Sequence, residues 1–278
     1  MEPTMIQEEL AKAVRTVRET NPLAASITNS VTINFVANTQ LAVGGSAAMV
    51  YLADEAETVA QAGGALYVNL GTMMPFYEQT IPAAAKAMHE LDRTLVFDPV
   101  AIGIGSLRTQ LIAGLKDYPP KLIRGNASEI IALAALWGLQ GAAEDTTRAR
   151  GVDSVDAVDA AREAAVALAR FTKGAVAVSG EVDLVTDGTL VARSYGGTPM
   201  FERVTGSGCS LGGVMAIYAT AATPFIAALA GVQVYNLAGT RAAARTDAPG
   251  SFATAFIDEL YKASAEDIAA NRFELQEA

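Results

Sequence analysis

The chain has 278 residues, of which 51% are hydrophobic and 18% are charged, and its formal net charge is −10. This composition is typical of an α/β protein with a well-buried sheet, and the length fits one large domain or two small ones. The acidic balance, without any Lys/Arg cluster, argues against binding to nucleic acid or to an anionic membrane surface. The single cysteine, Cys209, excludes an internal disulfide and suits a reducing compartment, so we expect a cytoplasmic protein.

Two further observations limit the possible classes of function. The longest apolar stretch, Phe225 to Val234, is too short to span a bilayer, and no N-terminal segment has the pattern of a signal peptide. The single histidine, His89, argues against a Ser-His-Asp triad and against a metal centre with several histidines. Because His89 lies at the polar end of a helical pattern, we interpret it as a surface residue.

Short β-like runs alternate with longer helical patterns through the first two thirds of the chain. This alternation predicts right-handed βαβ units and a mainly parallel sheet. The strands are nearly all apolar, as expected for a sheet covered on both faces. The predicted strands are Ala25–Ile27, Ala47–Tyr51, Ala65–Asn69, Thr94–Asp98, Leu122–Arg124 and Ala175–Ser179. The predicted helices are Val31–Val43, Ala56–Ala62, Pro75–Leu91, Thr109–Tyr118 and Ser154–Phe171.

The last third of the chain changes character. Asp187-Gly188 is a strong hairpin signal, so Asp183–Thr186 and Thr189–Arg193 are predicted to add antiparallel strands at an edge of the sheet. After Cys209 the predicted structure is helical almost to the end, over residues 209–220, 224–244, 252–262 and 265–273. Residues 141–151 are predicted to form a mobile loop. No repeat or change of composition divides the chain, so we expect residues 1–278 to form a single domain.

Polar residues stand where the predicted strands end. In an open parallel sheet, ligands bind outside the carboxyl ends of the strands. We therefore expect these polar residues to converge on one site. They are Thr28 and Asn29, Asn69 to Thr72, Asp98, Arg124 to Asn126 with Glu129 one turn later, and Ser179 to Glu181.

The most informative stretch is Val204–Ala216, in which a Thr-Gly-Ser-Gly turn leads into a small-residue apolar run typical of a helix. Such a turn leaves backbone N–H groups pointing outward, and together with the helix dipole they form a site for phosphate. Cys209 stands at the predicted helix start, where a thiol is most easily converted to the thiolate. The alternative is a tight turn with a buried small side chain, since free cysteine is usually packed in the interior.

Phosphoryl transfer from a nucleotide requires anion-binding amides, a cation, carboxylates for Mg²⁺ and a positioned hydroxyl. The turn supplies amides, and Arg124 supplies a planar cation suited to phosphate oxygens. Asp98 and Glu129 could hold Mg²⁺, in part through water. Alternatively, Asp98 only ends a strand, and Glu129 is an N-terminal charge of a helix that Asn126 caps. The chain has no P-loop motif, and it lacks the complete fingerprint of a Rossmann-type dehydrogenase.

Several segments, in family order across nearly the whole chain, carry a resemblance to a known family. They are Ser26–Asn29 with Asn34, Ala37 and Asn38; Leu41–Met49; Asn69–Thr72; Asp98–Val100; Ile123–Asn126 with Glu129 and Ile130; Gly151–Ser154; Ser179–Asp183; Val204–Cys209; and Pro249–Phe252. The chain resembles the hydroxyethylthiazole kinases of thiamine salvage, which belong to the ribokinase-like superfamily. Most ribokinase-like enzymes have an aspartate where Cys209 stands, and a cysteine there is typical of the thiazole-kinase branch.

The resemblance implies an α/β fold of the ribokinase-like type. This is a three-layer sandwich with a mainly parallel central sheet covered by helices on both faces. It also implies ATP-dependent phosphorylation of the hydroxyethyl group of 4-methyl-5-(2-hydroxyethyl)thiazole, with ATP and Mg²⁺ as cofactors. The resemblance further implies a homotrimer with active sites between the subunits, and we expect this chain to form one.

The resemblance implies a role for each matching site residue. The residues so assigned are Cys209 for catalysis, Met49, Gly206 and Asn29 for the thiazole alcohol, Arg124 and Ser179 for ATP, and Asp98 and Glu129 for Mg²⁺. The backbone of Ser207 and Gly208, in the glycine-rich turn, would add to the ATP site. A general base at Cys209 would accept the proton of the substrate hydroxyl.

Two alternatives of different kinds remain at this point. One is a related kinase that phosphorylates a hydroxymethylpyrimidine or a sugar, and Cys209 with Met49 favours the thiazole instead. The other is a nucleotide-binding protein on the same scaffold that has no catalytic activity. That alternative requires the loss of a phosphate or metal residue, whereas Asp98, Glu129 and Arg124 are all present.

Overall fold

The structure is a computed structural model that describes residues 2–139 and 155–278. The predicted mobile loop at residues 141–151 lies outside the described residues, as do the segment Gly151–Ser154 and the first residue of the predicted helix Ser154–Phe171.

The strands, in chain order, are β1 (Leu23–Ile27), β2 (Ser46–Met49), β3 (Ala65–Asn69), β4 (Thr94–Asp98), β5 (Leu122–Asn126), β6 (Ala175–Ser179), β7 (Asp183–Thr186), β8 (Leu190–Ser194) and β9 (Phe273–Glu277). They form one sheet in the spatial order β2-β1-β3-β4-β5-β6-β7-β8-β9. The pairs from β2 to β6 are parallel, and those from β6 to β9 are antiparallel. The mainly parallel sheet predicted from the sequence is therefore confirmed.

The helices cover both faces of this sheet. They are α1 (Pro3–Thr20), α2 (Ile33–Ala42), α3 (Ala53–Ala62), α4 (Tyr77–Glu90), α5 (Ser106–Gly114), α6 (Ala127–Leu136), α7 (Val155–Ala160), α8 (Arg162–Thr172), α9 (Ser207–Ala219), α10 (Pro224–Ala243), α11 (Pro249–Lys262) and α12 (Ala265–Ala270). A 3-10 helix, Pro199–Arg203, precedes the glycine-rich turn. His89 is an exposed residue of α4, as predicted.

Two separate apolar cores confirm the three-layer arrangement. Successive residues of a strand face opposite sides of a sheet, so Ala24 and Tyr67 contribute to one core while Ala25 and Leu66 contribute to the other. The first core is completed by α1, α2 and α9 to α12, and the second by α3 to α8. No helix in the described part of the chain is long and apolar enough to cross a membrane.

The helix predicted over residues 265–273 is wrong at its C-terminal end. Helix α12 ends at Ala270, and the following residues form β9, which pairs antiparallel with β8. Strand β8 is therefore an inner strand and not the predicted sheet edge. The alternation of Phe273 and Leu275 with polar residues suits a strand. The open hydrogen-bonding edge of β8 decides the structure here, and a local pattern cannot reveal that edge.

The N-terminal helix α1 packs against the C-terminal part of the chain. Ile6 and Leu10 of α1 are fully buried in the same core as Ile268 of α12. On the surface, Arg15 Nη1 donates a hydrogen bond to Glu266 Oε1 at 2.7 Å. The two ends of the chain therefore stabilise one another on the face of the sheet that carries α9.

Candidate active site

The anion-binding turn predicted from the sequence lies at the start of α9. Gly206 precedes the helix with a left-handed backbone (φ 91°) that favours glycine. The N–H of Ser207 donates to the Val204 carbonyl at 3.3 Å, and its hydroxyl donates to the Phe201 carbonyl at 2.7 Å. The helical hydrogen bonds of α9 begin with the N–H of Ser210, which donates to the Gly206 carbonyl. The amides of Gly208 and Cys209, which precede it, have no acceptor among the described residues. These two amides are free donors in the first turn of α9.

Arg124 connects this turn to the carboxyl ends of three strands. Its Nη1 lies 3.1 Å from Asp98 Oδ2, and its Nη2 donates to Ser179 Oγ at 3.2 Å. A Cβ placed on Gly208 would lie 2.9 Å from Arg124 Nη2, so the helix start and the guanidinium are in contact. The strand-end residues Asp98, Arg124 and Ser179 are therefore brought together, as the sequence predicts.

Asp98 is fully buried, and its two carboxylate oxygens have very different hydrogen-bond surroundings. Its Oδ2 lies within 3.1 Å of Arg124 Nη1, Tyr67 OH and Asn69 Nδ2. Its Oδ1 has no hydrogen-bond partner among the described residues. Burial raises the pKa of Asp98 above its ordinary value, and the negative charge of Glu129 raises it further. The positive charge of Arg124 lowers this pKa but does not cancel the increase. Burial lowers the pKa of Arg124, but Asp98 and Glu129 together raise it above its usual range, so its cation persists.

Cys209 lies in the first turn of α9, partly buried, beside Asn29. Asn29 Nδ2 is 3.5 Å from Cys209 Sγ and 2.9 Å from Asn69 Oδ1, so Asn29 joins the thiol to the strand-end network. The expectation that the helix start would favour the thiolate is wrong. Burial and the nearby charge of Asp98 raise the pKa of the Cys209 thiol, and Arg124 offsets this only in part.

A cavity of about 540 Å³ opens beside this network. Its walls come from the ends of β5 and β6, the start of α9 and the loop at Gly196 and Gly197; they include Arg124, Asn126, Ser179, Asp183, Ser207 and Gly208. The residues predicted to bind ATP therefore share one cavity. Asn29, Met49 and Cys209 are not among its lining residues.

Met49 and Gly206 also lie outside the lining of this cavity. Met49 ends β2, next to β1, and packs partly exposed against the core that also contacts Cys209. Gly206 contacts Thr32, because a Cβ on this glycine would lie 3.0 Å from the threonine Cβ. Asn29 Oδ1 accepts the N–H of the same Thr32 at 3.1 Å. Asn29 and Gly206 are thus placed around the α2 and α9 helix starts, whereas Met49 lies at the end of β2.

Glu129 has the structural role that was the alternative at the sequence level. Its Oε2 accepts the N–H of Asn126 at 2.9 Å, and Asn126 Oδ1 accepts the N–H of Glu129 at 2.9 Å. This reciprocal pair is a capping box at the start of α6. The cap uses Oε2 only, so Oε1 of Glu129 is available to a ligand.

A divalent cation fits these carboxylates only with help from other ligands. Hard cations such as Mg²⁺ prefer oxygen ligands and retain much of their water. Asp98 Oδ1 is an unpartnered carboxylate oxygen, and Glu129 Oε1 is a second available oxygen. Within residues 2–139 and 155–278, no group of three or more His, Cys, Asp or Glu could hold a metal. The remaining ligands would therefore come from phosphate oxygens and water.

Sequence reasoning did not identify Tyr67 or Asn236 as site residues. Tyr67 lies inside an apolar strand, where an aromatic side chain is typical of a core, and only its hydroxyl contacts reveal its place. Asn236, from the middle of α10, donates to the buried Asp183 Oδ2 at 2.9 Å and lines the cavity. Its partner is distant in sequence, so no local signal could have indicated it.

Comparison with known proteins relates this geometry to an enzyme family. The model of the "Hydroxyethylthiazole kinase family" matches residues 14–266. The hydroxyethylthiazole kinase of Bifidobacterium adolescentis is 49% identical over 275 residues, which cover 96% of this chain and 94% of that protein.

Solved structures confirm the ribokinase-like fold. The hydroxyethylthiazole kinase protein from Pyrococcus horikoshii OT3 superimposes with a TM-score of 0.85 at 27% identity, covering 98% of this chain and 99% of that one. The Staphylococcus aureus pyridoxal kinase in complex with ADP has a TM-score of 0.57 at 15% identity, with coverage of 92% and 99%. The second likeness concerns the fold alone. The family model and the relatives of similar length together show that this chain belongs to the hydroxyethylthiazole kinase family.

Proposed function

We propose that this site transfers the γ-phosphoryl group of ATP to the hydroxyethyl group of 4-methyl-5-(2-hydroxyethyl)thiazole in thiamine salvage. The observation that carries the proposal is the position of Cys209. Its thiol lies at the start of α9, with the free amides of Gly208 and Cys209 itself, and it contacts Asn29, which does not line the 540 Å³ cavity. A hydroxyl bound beside Asn29 would face phosphates bound at the amides.

The nucleotide belongs in the cavity lined by Arg124 and Ser179. Arg124 presents a guanidinium held by Asp98 and Ser179, which suits the β- and γ-phosphate oxygens. The amides of Gly208 and Cys209 would stabilise the charge on the moving phosphoryl group, because preorganised donors cost no reorganisation during the reaction. The hydroxyl and amide of Ser207 are already bonded within the protein, so Ser207 would contribute mainly by shaping the turn.

The chemistry is an in-line displacement. The substrate oxygen forms a bond to the γ-phosphorus, the bond to the β,γ-bridging oxygen breaks, and ADP leaves. The hydroxyl proton passes to Cys209 Sγ in its thiolate form. Since burial raises the pKa of this thiol, the thiolate is a minor species near neutral pH but a stronger base where it forms. A loose transition state needs little help from a base early in the reaction.

Asp98 and Glu129 are the residues that would hold Mg²⁺, through Asp98 Oδ1 and Glu129 Oε1. Bound Mg²⁺ would supply neutralisation of the charge on the β- and γ-phosphates. The chain's own contribution is to keep Asp98 oriented, because Asn69 Nδ2 and Arg124 Nη1 both donate to its other oxygen.

A homotrimer with sites between subunits is part of the proposal. Its support is the family resemblance and the exposure of an apolar side chain at each end of α2, since Val31 just before the helix is 70% exposed and Leu41 in its last turn is 54% exposed. A second subunit placed on α2 would cover both side chains. Sedimentation equilibrium of the protein with and without ATP measures the mass directly, and a monomer under both conditions would overturn this part.

The test of the reaction is detection of the phosphorylated thiazole by mass spectrometry after incubation with Mg²⁺ and ATP. A hydroxymethylpyrimidine and a sugar serve as competing acceptors. Preferential formation of thiazole phosphate supports the proposal. Phosphorylation of the pyrimidine or sugar in its place would indicate a related kinase, and a folded protein that binds ATP but phosphorylates none of the three would indicate a non-catalytic role.

A further inference from the structure

The Tyr67 hydroxyl lies between the first turn of α9 and the polar residues that end β3 and β4. It lies 2.6 Å from the Cys209 carbonyl oxygen, 3.1 Å from Asp98 Oδ2 and 2.9 Å from Asn69 Nδ2. Because a phenol has one proton, the shortest contact identifies the Cys209 carbonyl as its acceptor. The amide of Asn69 donates to the phenol oxygen in return.

We propose that Tyr67 is a positioning residue for phosphoryl transfer, which fixes the first turn of α9 relative to the carboxylate of Asp98. The first turn of α9 carries both the thiol of Cys209 and the free amides that face the phosphate. Asp98 belongs to β4, in the sheet. Asn69 Nδ2 donates both to the Tyr67 hydroxyl oxygen at 2.9 Å and to Asp98 Oδ2 at 3.0 Å, so Tyr67 and Asn69 together join the Cys209 carbonyl to Asp98.

The surroundings of the ring show that the link is rigid. Tyr67 is fully buried, and its ring lies against Gly212 of α9, where an added Cβ would be 2.3 Å from ring atom Cε2. A glycine inside a helix costs about 1 kcal/mol relative to alanine. Here Gly212 provides the space that lets the ring pass under the helix and reach the Cys209 carbonyl.

The Tyr67 hydroxyl is well placed to hold the first turn of α9 in position, but it is poorly placed to take part in the reaction. Tyr67 has no described path to a bound substrate, because its hydroxyl is enclosed by Cys209, Asp98 and Asn69. The Cys209 carbonyl is in a helix and can accept a second hydrogen bond from the backbone. Loss of the hydroxyl therefore leaves the helix intact but removes the hydrogen bond between its first turn and the strand layer.

The test compares Tyr67→Phe with Tyr218→Phe in the full-length protein. Tyr218 is a buried tyrosine of α9. Its hydroxyl has no hydrogen-bond partner among the described residues, so it is a matched control. We expect Tyr67→Phe to lower kcat about tenfold or more, the effect of one hydrogen bond to a critical group, with both KM values within about twofold of wild type. Tyr218→Phe should leave kcat unchanged.

A second readout does not depend on catalysis and so separates this inference from the proposed function on which it rests. Cys209 is the only cysteine of the chain, so the rate of alkylation by iodoacetamide reports on one thiol. We expect alkylation to become several times faster in Tyr67→Phe, since the first turn of α9 gains freedom, and to stay unchanged in Tyr218→Phe. This comparison remains valid even if the thiazole is not phosphorylated.

A third variant covers the case in which Tyr67→Phe does not fold. Gly212→Ala keeps the hydroxyl but displaces the ring, and we expect it to lower kcat and to speed alkylation in the same way. The inference is overturned if Tyr67→Phe or Gly212→Ala folds and matches Tyr218→Phe in both kcat and alkylation rate. A lower melting temperature without either change would mean that Tyr67 is a packing residue only.

Discussion

Gly208 and Arg124 are in contact at the boundary between the nucleotide cavity and the thiol, so that a Cβ on the glycine would lie 2.9 Å from Arg124 Nη2 and 3.2 Å from Nη1. The guanidinium cannot move away freely, because it is buried and bonded to Asp98 and Ser179. The helix start and the phosphate-binding cation therefore share one small space, which only glycine leaves open.

Gly208→Ala should weaken nucleotide use more than it changes stability. Alanine favours helix formation by up to about 1 kcal/mol relative to glycine, which offsets part of the cost of displacing the buried guanidinium. The displaced guanidinium should lower kcat/KM for ATP by about tenfold, a loss of about 1.4 kcal/mol of transition-state stabilisation. Gly114→Ala in α5, where an added Cβ has no neighbour within 4 Å, is the control for both measurements. Equal kcat/KM values for the two variants would contradict the prediction.

Glu129→Gln separates the capping role of Glu129 from its charge. Glutamine can keep the hydrogen bond to the Asn126 N–H, so the capping box at α6 and the melting temperature should be retained. The missing charge should raise the Mg²⁺ concentration needed for half-maximal activity by about tenfold, since carboxylate ligands bind this cation through charge as well as geometry. Titration of activity with Mg²⁺ at saturating ATP measures this shift. An unchanged Mg²⁺ requirement would restrict Glu129 to the helix cap.

Cys209→Ala should lower kcat by about ten- to a hundredfold without abolishing it, because general-base assistance is only one part of the catalysis. Wild-type kcat should rise with pH on the alkaline side, since a base acts when deprotonated and burial raises the pKa of this thiol. Cys209→Ala should lose that rise, whereas Cys209→Asp restores a carboxylate base and should recover activity at neutral pH. Profiles of kcat against pH for the three proteins test this. Wild-type turnover by Cys209→Ala would rule out the base role.

Asp183 should give the stability of the protein a pH dependence. Burial raises the pKa of Asp183 to about 6, against the hydrogen bonds from Asn236 and the Gly180 N–H. The folded chain then binds more protons than the unfolded chain between about pH 4 and 6, so the free energy of unfolding contributed by Asp183 falls as the pH rises through this window. The loss is at most about 3 kcal/mol and is complete above the folded-state pKa.

Asp183→Asn removes this titration. The difference in unfolding free energy between Asp183→Asn and wild type should therefore shift in favour of the variant between about pH 4 and 7. Urea unfolding at several pH values measures it, whatever offset the changed hydrogen bonds to Asn236 add at all pH values. A constant difference across the range would show that Asp183 is ionised normally in the folded protein.

Much of the strand layer follows from the sequence alone. The predicted bounds of β3, β4, β6 and β7 agree with the structure, because each is an apolar run that ends at a polar residue or a glycine. The convergence of Asp98, Arg124 and Ser179 was predictable for the same reason, since parallel strands end at one edge of the sheet. Local pattern and overall topology agree in this part of the chain.

The rest depends on partners that are far away in sequence. Strand β9 forms because β8 has an open edge, and residues 271–278 alone do not reveal that edge. The thiol pKa of Cys209 moves opposite to the expectation from its helix position, because burial and Asp98 outweigh the helix start. The role of Tyr67 could not be predicted, because in the sequence it is an ordinary residue of an apolar strand and its contact with α9 depends on the tertiary structure.

The packing of α1 on α12 has a consequence for synthesis on the ribosome. Arg15 and Glu266 are 251 residues apart, so the first helix emerges long before its partner exists. Until then the apolar face of α1, with Ile6 and Leu10, must be shielded by other segments or by chaperones. Such long-range contacts slow folding, and nascent chains stalled before residue 265 should be more sensitive to protease than the released protein.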